Sequence, residues 1–232
     1  MDRYSLINDH LKRELLLLQG LGCVWKKCTF CDYYEDKSNN AFETNKEVID
    51  KITGIYKMVD VINSGSIFEL DKKTKEYLKT KLIEKKVETM WCESHFIYRN
   101  KLDEIRNFFH PIKVKFRVGA ETFDPDLRDK WQKGIPKEIN VKDIAKYFDG
   151  VCLLICVKGQ TKEIIINDIK KAFDNFEYFN INVFNPNSTN EKLDYELLDW
   201  FKKNIYPYLT KYDNIEVLID NTDLGVGEKD KF

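Results

Sequence analysis

Short apolar runs alternate along this chain with longer segments in which hydrophobic and charged positions are mixed. Residues 113–121 place valine or phenylalanine at alternate positions, with lysine and arginine between them, which is the period of a β-strand. Residues 151–157 are nearly all apolar, as in a strand that is covered on both faces. The charged segment 71–84 instead places Tyr77, Leu78 and Leu82 on one side of a helix. The pattern therefore predicts strands and helices in alternation.

The same reasoning divides most of the chain into elements. Thr44 and Glu47 have the spacing of a capping box, which would start the first helix. The predicted strands are residues 15–20, 58–63, 87–93, 113–121, 151–157, 178–184 and 215–219. The predicted helices are residues 44–56, 71–84, 102–109, 125–132, 141–148, 163–176 and 195–205.

Strands that alternate with helices indicate a parallel sheet built from βα units. Six or seven such units in one chain predict an α/β fold, a partial (β/α)6-7 TIM-like barrel. In barrels of this kind the chemistry collects at the carboxyl ends of the strands. The residues that close each predicted strand are therefore the first candidates for a site.

Composition agrees with one globular domain over residues 1–232. The chain has 43% hydrophobic and 33% charged residues, with 38 Lys and Arg against 39 Asp and Glu. A protein that grips a long nucleic acid usually carries a basic excess, so nucleic acid is not an expected partner. No apolar stretch is long enough to span a membrane, and no export signal is present, so we expect a cytoplasmic protein. Its six cysteines would then be reduced, metal-bound or catalytic.

Three of these cysteines fall within nine residues. Cys23, Cys28 and Cys31 have the spacing C-x4-C-x2-C. Three thiolates on one loop can hold three irons of a [4Fe–4S] cluster and leave the fourth iron open to a substrate or cofactor. Lys26 and Lys27 lie between these cysteines, where positive charge favours the thiolate. The loop is therefore a predicted iron–sulfur site.

Other readings of the cysteines remain open. A structural zinc site takes four Cys or His ligands, and a plant-type [2Fe–2S] ferredoxin adds a distant cysteine to this same spacing. Cys92 is the candidate fourth ligand in both cases, although no second C-x-x-C pair accompanies it. Three thiols without a ligand role are the third alternative. Cys152 and Cys156 are interpreted as core residues of one strand face.

A cysteine loop placed between the first strand and the first helix of a βα series resembles the radical S-adenosylmethionine (SAM) enzymes. The usual family spacing is C-x3-C-x2-C, so this chain has one additional residue between its first two cysteines. The resemblance implies a radical SAM barrel core over roughly residues 14–190 and a segment at 191–232 that covers the substrate. It also implies a [4Fe–4S] cluster on the three cysteines. SAM would bind the open iron and be cleaved to a 5′-deoxyadenosyl radical, which abstracts hydrogen from the substrate.

The resemblance extends to SAM-binding positions. Phe30 matches the aromatic position before the last cysteine, whose backbone contacts the adenine. Glu93 and Glu121 close successive predicted strands, where carboxylates can bind the SAM amine or the ribose hydroxyls. Ser64, Gly65 and Ser66 correspond to the family's glycine-rich segment, which binds the SAM amino group. In this chain the segment lacks the family's double glycine and glutamate.

The size and charge of the chain restrict the class of substrate that we expect. Auxiliary clusters need further cysteines, and none follows Cys156. The segment 20–34 is similar to radical SAM enzymes that act on a free deazapurine base, which implies a lyase that breaks a C–N bond. A tRNA-modifying member of the family is the alternative, and an external reductant such as flavodoxin or ferredoxin is the implied partner.

Candidate substrate-binding residues also lie at the ends of predicted strands. Carboxylates would pair with the N–H groups of a deazaguanine edge, and aromatic rings would stack on its face. His95 is also a possible catalytic residue, and capping of the helix after Ser94 is its alternative role. The full set of candidates is Tyr33, Tyr34, His95, Asn185, Asp220 and Asp223.

Overall fold

The computed structural model describes residues 3–8 and 10–219. Within these residues the strands are β1 (Tyr4–Ile7), β2 (Arg13–Leu18), β3 (Met58–Asn63), β4 (Thr89–Glu93), β5 (Lys113–Glu121), β6 (Gly150–Ile155), β7 (Tyr178–Val183) and β8 (Ile215–Leu218). The α-helices are α1 (Phe42–Ile49), α2 (Lys72–Glu84), α3 (Leu102–Phe109), α4 (Pro125–Lys130), α5 (Val141–Ala145), α6 (Lys162–Asn175), α7 (Tyr195–Asn204) and α8 (Tyr206–Leu209). Short 3-10 helices lie at Tyr33–Glu35, Ile67–Glu69 and Phe96–Lys101.

The chain forms two compact units. The first contains Met1–Lys26 and Tyr33–Arg117, and the second contains Lys27–Asp32 and Val118–Phe232. Strand β5 therefore begins in the first unit and ends in the second. The expectation of one domain over the whole chain stays a prediction.

The first unit is built on a mostly parallel arrangement of strands. Strand β1 pairs antiparallel with β2, and β2, β3, β4 and β5 then pair in parallel in that order. The register aligns Leu15 with Asp60, Asp60 with Trp91, and Trp91 with Lys115. Parallel pairing brings the carboxyl ends of these strands to one edge, where the residues that follow them can meet.

Charged side chains are buried among the strands of the first unit. Asp60 is fully buried and accepts two bonds from the Arg117 guanidinium, at 2.9 Å each, and one from Arg13 Nε, also at 2.9 Å. Burial raises the pKa of Asp60, but the two guanidinium groups outweigh it and hold that pKa below its usual value. The network joins β2, β3 and β5 through charge-assisted bonds.

The second unit contains parallel strands β6, β7 and β8, paired in that order. Every residue of β6 is buried, as its apolar sequence predicts. Helix α6 begins after Thr161, whose hydroxyl accepts the Ile164 N–H, and buries Ile165 and Ala172. Polar residues also enter this interior, because Glu216 accepts a bond of 2.8 Å from Tyr178 and another from Asn180.

Helix α1 differs most from its prediction. It begins at Phe42 after Ala41, which makes no side-chain cap, so the predicted capping box at Thr44 is wrong. It also ends at Ile49, because the Glu14 carboxylate binds the N–H groups of Thr53 and Gly54, at 2.8 and 2.7 Å, and keeps that segment out of the helix. Among the described residues no helix is long and apolar enough to cross a membrane.

Candidate active site

In the first unit, the residues after β2, β3 and β4 meet at one edge of the sheet. Gly65 packs directly against Cys23, because a Cβ at this position would lie only 2.9 Å from Cys23 Cα. The Ser66 hydroxyl accepts the His95 N–H at 2.8 Å. The predicted cysteine, the Ser-Gly-Ser segment and His95 are therefore brought together in this unit.

The segment between the first two cysteines also carries an aromatic ring to this edge. Trp25 stacks on His95, with ring centroids 5.3 Å apart and planes 22° apart. The Nδ1 atom of His95 accepts the Ile97 N–H at 3.3 Å, so His95 caps the 3-10 helix Phe96–Lys101. The capping role considered for His95 is therefore confirmed, and its catalytic role stays a prediction.

Glu93 closes β4 as predicted and is held by a buried cation. Arg117 Nη2 lies 3.5 Å from Glu93 Oε1, while the same guanidinium binds Asp60. Glu93 is partly exposed and Arg117 is buried. The contact with Arg117 orients the Glu93 carboxylate and leaves part of it open to solvent.

Tyr33 and Tyr34 lie in the 3-10 helix that follows the cysteine loop. Tyr33 is 44% exposed. Gly22 has φ +81°, and a Cβ there would lie 2.8 Å from the Tyr34 carbonyl oxygen, so only glycine permits this close approach. The turn at Gly22 thus places both tyrosines beside the start of the cysteine loop.

In the second unit, Phe30 is buried, and both its ring and its backbone carbonyl make contacts. Its ring makes an edge contact with Trp131, with centroids 5.5 Å apart, and its carbonyl accepts a bond of 2.8 Å from Asn187 Nδ2. The Cys31 N–H donates to the Cys28 carbonyl at 3.3 Å. Sequence reasoning selected Asn185, which is partly buried, and missed the contact made by Asn187.

Glu121 closes β5 and pairs with a lysine that the sequence did not single out. Lys133 Nζ lies 2.8 Å from Glu121 Oε1, and both side chains are 11% exposed. A Cβ on Gly119 would lie 2.5 Å from Glu121 Oε1 and 2.9 Å from Lys133 Nζ, so glycine leaves the space that this ion pair fills. Glu121 also adopts φ +66°, a costly conformation for a residue with a side chain.

The charge of Lys133 is stabilised by the cysteine loop as well. Burial lowers the pKa of Lys133, but the Glu121 carboxylate and the Cys28 and Cys31 thiols outweigh it, so the pKa lies well above its usual value. Lys133 Nζ also lies 5.6 Å from the centre of the Phe30 ring. The second unit therefore joins Cys28, Phe30 and Cys31 to a buried ammonium and a carboxylate.

A buried aspartate supports the turn after Glu121. Asp168 accepts the Thr122 hydroxyl at 2.6 Å and the Phe123 N–H at 2.8 Å. Burial raises the pKa of Asp168 to about 6, although these two donors partly offset the shift. The two predicted site residues Asp220 and Asp223 lie outside the described residues.

The cysteine chemistry fits three ligands of an iron–sulfur cluster. All six cysteines lie in the described part of the chain and none forms a disulfide, and Cys23, Cys28 and Cys31 are each partly exposed. Among residues 3–8 and 10–219, no group of three or more His, Cys, Asp or Glu is placed to hold a metal ion. Cys92 is buried in β4 and donates to the Lys115 carbonyl at 3.9 Å, and burial raises its pKa well above the usual value. A buried thiol of this kind is a poor fourth ligand.

Comparison with known proteins finds a solved structure that matches nearly the whole chain. No protein-family model matches the chain, and no curated protein matches it. The solved structure of a queuine lyase from Clostridium spiroforme bound to SAM and queuine matches with a TM-score of 0.92 and 38% sequence identity. The match covers 98% of this chain and 100% of that chain. It confirms the predicted α/β partial-barrel fold class.

Proposed function

This chain belongs to the queuine lyase family of radical SAM enzymes, and on that premise we propose that it is a radical SAM lyase that cleaves queuine. The bond broken joins the cyclopentenediol to the aminomethyl nitrogen, and the product is 7-aminomethyl-7-deazaguanine (preQ1). The observation that carries the proposal is the 38% identity over nearly the full length of both chains. The role in the cell would be salvage of the base for queuosine.

Cys23, Cys28 and Cys31 are the proposed ligands of a [4Fe–4S] cluster. Their number and loop position suit three irons, with the fourth open to SAM. When bound there, the cluster would supply the electron that cleaves SAM and so starts hydrogen abstraction from the substrate. Lys133 would stabilise Cys28 and Cys31 as thiolates. Its buried ammonium lies close to both sulfurs, and each of them raises the pKa of Lys133.

SAM binding is assigned to the residues around these cysteines. Backbone groups of the segment Ser64, Gly65 and Ser66 would bind the SAM amino group, and Glu93 would accept a bond from the amine or the ribose. Phe30 would offer its backbone to the adenine. Glu121 would, like Glu93, accept a bond from the SAM amine or the ribose, and its ion pair with Lys133 holds this carboxylate in position.

The substrate base would be held by side chains that follow the strands. Tyr33 and Tyr34 offer aromatic faces, and Asn185 offers an amide to polar groups of the ligand. His95 is held by Trp25 and by the Ile97 N–H, so its ring is oriented before substrate binds. Asp220 and Asp223, which lie outside the described residues, complete the proposed set.

The partners follow from this chemistry. An external reductant of the flavodoxin or ferredoxin type would reduce the cluster. The substrate would be the free base and not tRNA, in keeping with a net charge of -1. A cytoplasmic location is part of the same proposal.

Iron counting and a matched pair of variants test the cofactor assignment. Anaerobically reconstituted protein should hold about four irons per chain and release 5′-deoxyadenosine when dithionite and SAM are added. Cys28→Ala should lose both the iron and this activity, whereas Cys152→Ala, at a buried cysteine of β6, should keep both. Two irons per chain that depend on Cys92 would instead support the [2Fe–2S] alternative. A Cys28→Ala protein with full iron and activity would refute the assignment.

A further inference from the structure

One glutamate holds the backbone on both sides of Cys23. The Glu69 carbonyl accepts the Leu21 N–H at 3.3 Å, and Glu69 Oε1 accepts the Val24 N–H at 3.1 Å. Leu21 lies two residues before Cys23, and Val24 lies one residue after it. The loop that presents this thiol is therefore tied at two points to the same residue.

The Glu69 side chain is itself fixed from three directions. Its carboxylate accepts the Ser66 N–H and, at 3.2 Å, the Tyr98 hydroxyl, besides the Val24 N–H. Glu69 is 8% exposed and ends the 3-10 helix Ile67–Glu69, which begins after Ser66. A buried carboxylate with three donors has little freedom to move.

The neighbouring glycines show how closely Glu69 and the loop are packed. A Cβ on Gly65 would clash with Glu69 Oε2 and would lie 3.0 Å from the Cys23 nitrogen. A Cβ on Gly20 would lie 3.0 Å from the Glu69 carbonyl oxygen. Both glycines thus leave space that allows Glu69 to approach the loop.

We propose that Glu69 is a positioning residue that sets the Cys23 thiol for its role as a cluster ligand. This inference rests on the proposed function, because it takes Cys23 as a ligand. The chain lacks a glutamate directly after Gly65, and the 3-10 helix brings one to the loop four residues later. The role is distinct from that of a ligand, since the carboxylate is occupied by two backbone N–H groups and the Tyr98 hydroxyl.

The chain supplies a matched control in Glu14. Its carboxylate is also buried and also accepts two backbone N–H groups and one tyrosine hydroxyl, from Thr53, Gly54 and Tyr4. Glu14 lies at the start of β2, whereas the cysteine loop follows the end of that strand. Glu14→Gln should therefore reproduce the general loss of buried bonds without loosening the loop.

The test compares Glu69→Ala, Glu69→Gln and Glu14→Gln with the wild type. In apo protein, iodoacetamide labelling of each cysteine is followed by peptide mass spectrometry. Cys23 should label about tenfold faster in Glu69→Ala, the factor that corresponds to losing one charge-assisted bond. Glu69→Gln keeps an acceptor for the Val24 N–H and should label Cys23 only a few-fold faster. Glu14→Gln should label Cys23 at the wild-type rate.

Iron content supplies the second readout. After anaerobic reconstitution, Glu69→Ala should hold less than half the wild-type iron, Glu69→Gln an intermediate amount, and Glu14→Gln the wild-type amount. Wild-type labelling of Cys23 in both Glu69 variants, or equal acceleration in Glu14→Gln, would overturn the inference. Wild-type protein that binds no iron would refute the proposed function, and the labelling comparison would still decide whether Glu69 holds the loop. If Glu69→Ala does not fold, Glu69→Gln alone carries both readouts.

Discussion

Replacement of Lys133 by methionine tests the ion pair that holds Glu121 at the end of β5. Methionine keeps most of the length and volume of the side chain but removes the ammonium that lies 2.8 Å from Glu121 Oε1. At an effective dielectric constant of 20, the gross attraction at this distance is about 6 kcal/mol. Part of that is offset by the desolvation of both groups, since each side chain is only 11% exposed.

The cost of Lys133→Met is therefore expected to exceed that of a surface substitution. Removing one partner of a buried pair leaves an unpaired buried charge and costs about 3–5 kcal/mol. We expect a value of about 3 kcal/mol here, because the remaining exposure lets water reach the carboxylate. The double variant Lys133→Met with Glu121→Gln should be destabilised by about 1–3 kcal/mol less than the sum of the single variants.

Urea denaturation of the apo protein measures these differences. The assay follows the unfolding midpoint and slope for the wild type, both single variants and the double variant. Lys137→Met, at an exposed lysine that pairs with Asp126, is the control and should change stability by less than about 1 kcal/mol. Additive single effects, with a coupling energy below about 0.5 kcal/mol, would refute the view that this pair positions Glu121.

Three further predictions concern the same region. Gly65→Ala places a Cβ 2.9 Å from Cys23 Cα, so the reconstituted protein should bind less iron while its circular dichroism stays native. Asp168 contributes fully to stability below its unfolded pKa of about 4, and this contribution is lost as the pH rises through the folded pKa of about 6, because burial penalises its charge. In the wild type the free energy of unfolding should therefore fall by up to about 3 kcal/mol between pH 4 and 7, and Asp168→Asn should remove this fall. Urea denaturation at several pH values measures it, and an equal fall in the wild type and in Asp168→Asn would contradict the prediction. Cys92→Ala should leave the iron content unchanged, as read by iron assay, because this thiol is buried and protonated.

Elements with strong periodicity could be predicted closely from the sequence. Strands β3 and β5 and helix α3 have the predicted bounds. Asp71 and Asp124 cap helices α2 and α4 by accepting the N–H groups of Thr74 and Leu127, and an aspartate directly before a helix is a common N-cap. Local signals were sufficient here because the cap and the helix are adjacent in sequence.

The contacts that complete the site could not be predicted in the same way. Lys133 lies 12 residues from Glu121, and Glu69 lies 45 residues from Val24. In sequence each resembles an ordinary surface charge, and only the fold brings it to its partner. The φ of +66° at Glu121 likewise has no local signal, because glycine is the residue expected there. The cysteine spacing, in contrast, indicated the family because all three residues lie on one loop.

The proposed reaction is the SAM-dependent cleavage of free queuine. The most direct measurement is mass spectrometry of products after reconstituted protein is incubated with SAM, dithionite and queuine. PreQ1 and 5′-deoxyadenosine should form together with the wild type, and neither should form with Cys28→Ala. Release of 5′-deoxyadenosine without preQ1, at the same rate with and without queuine, would contradict this proposal.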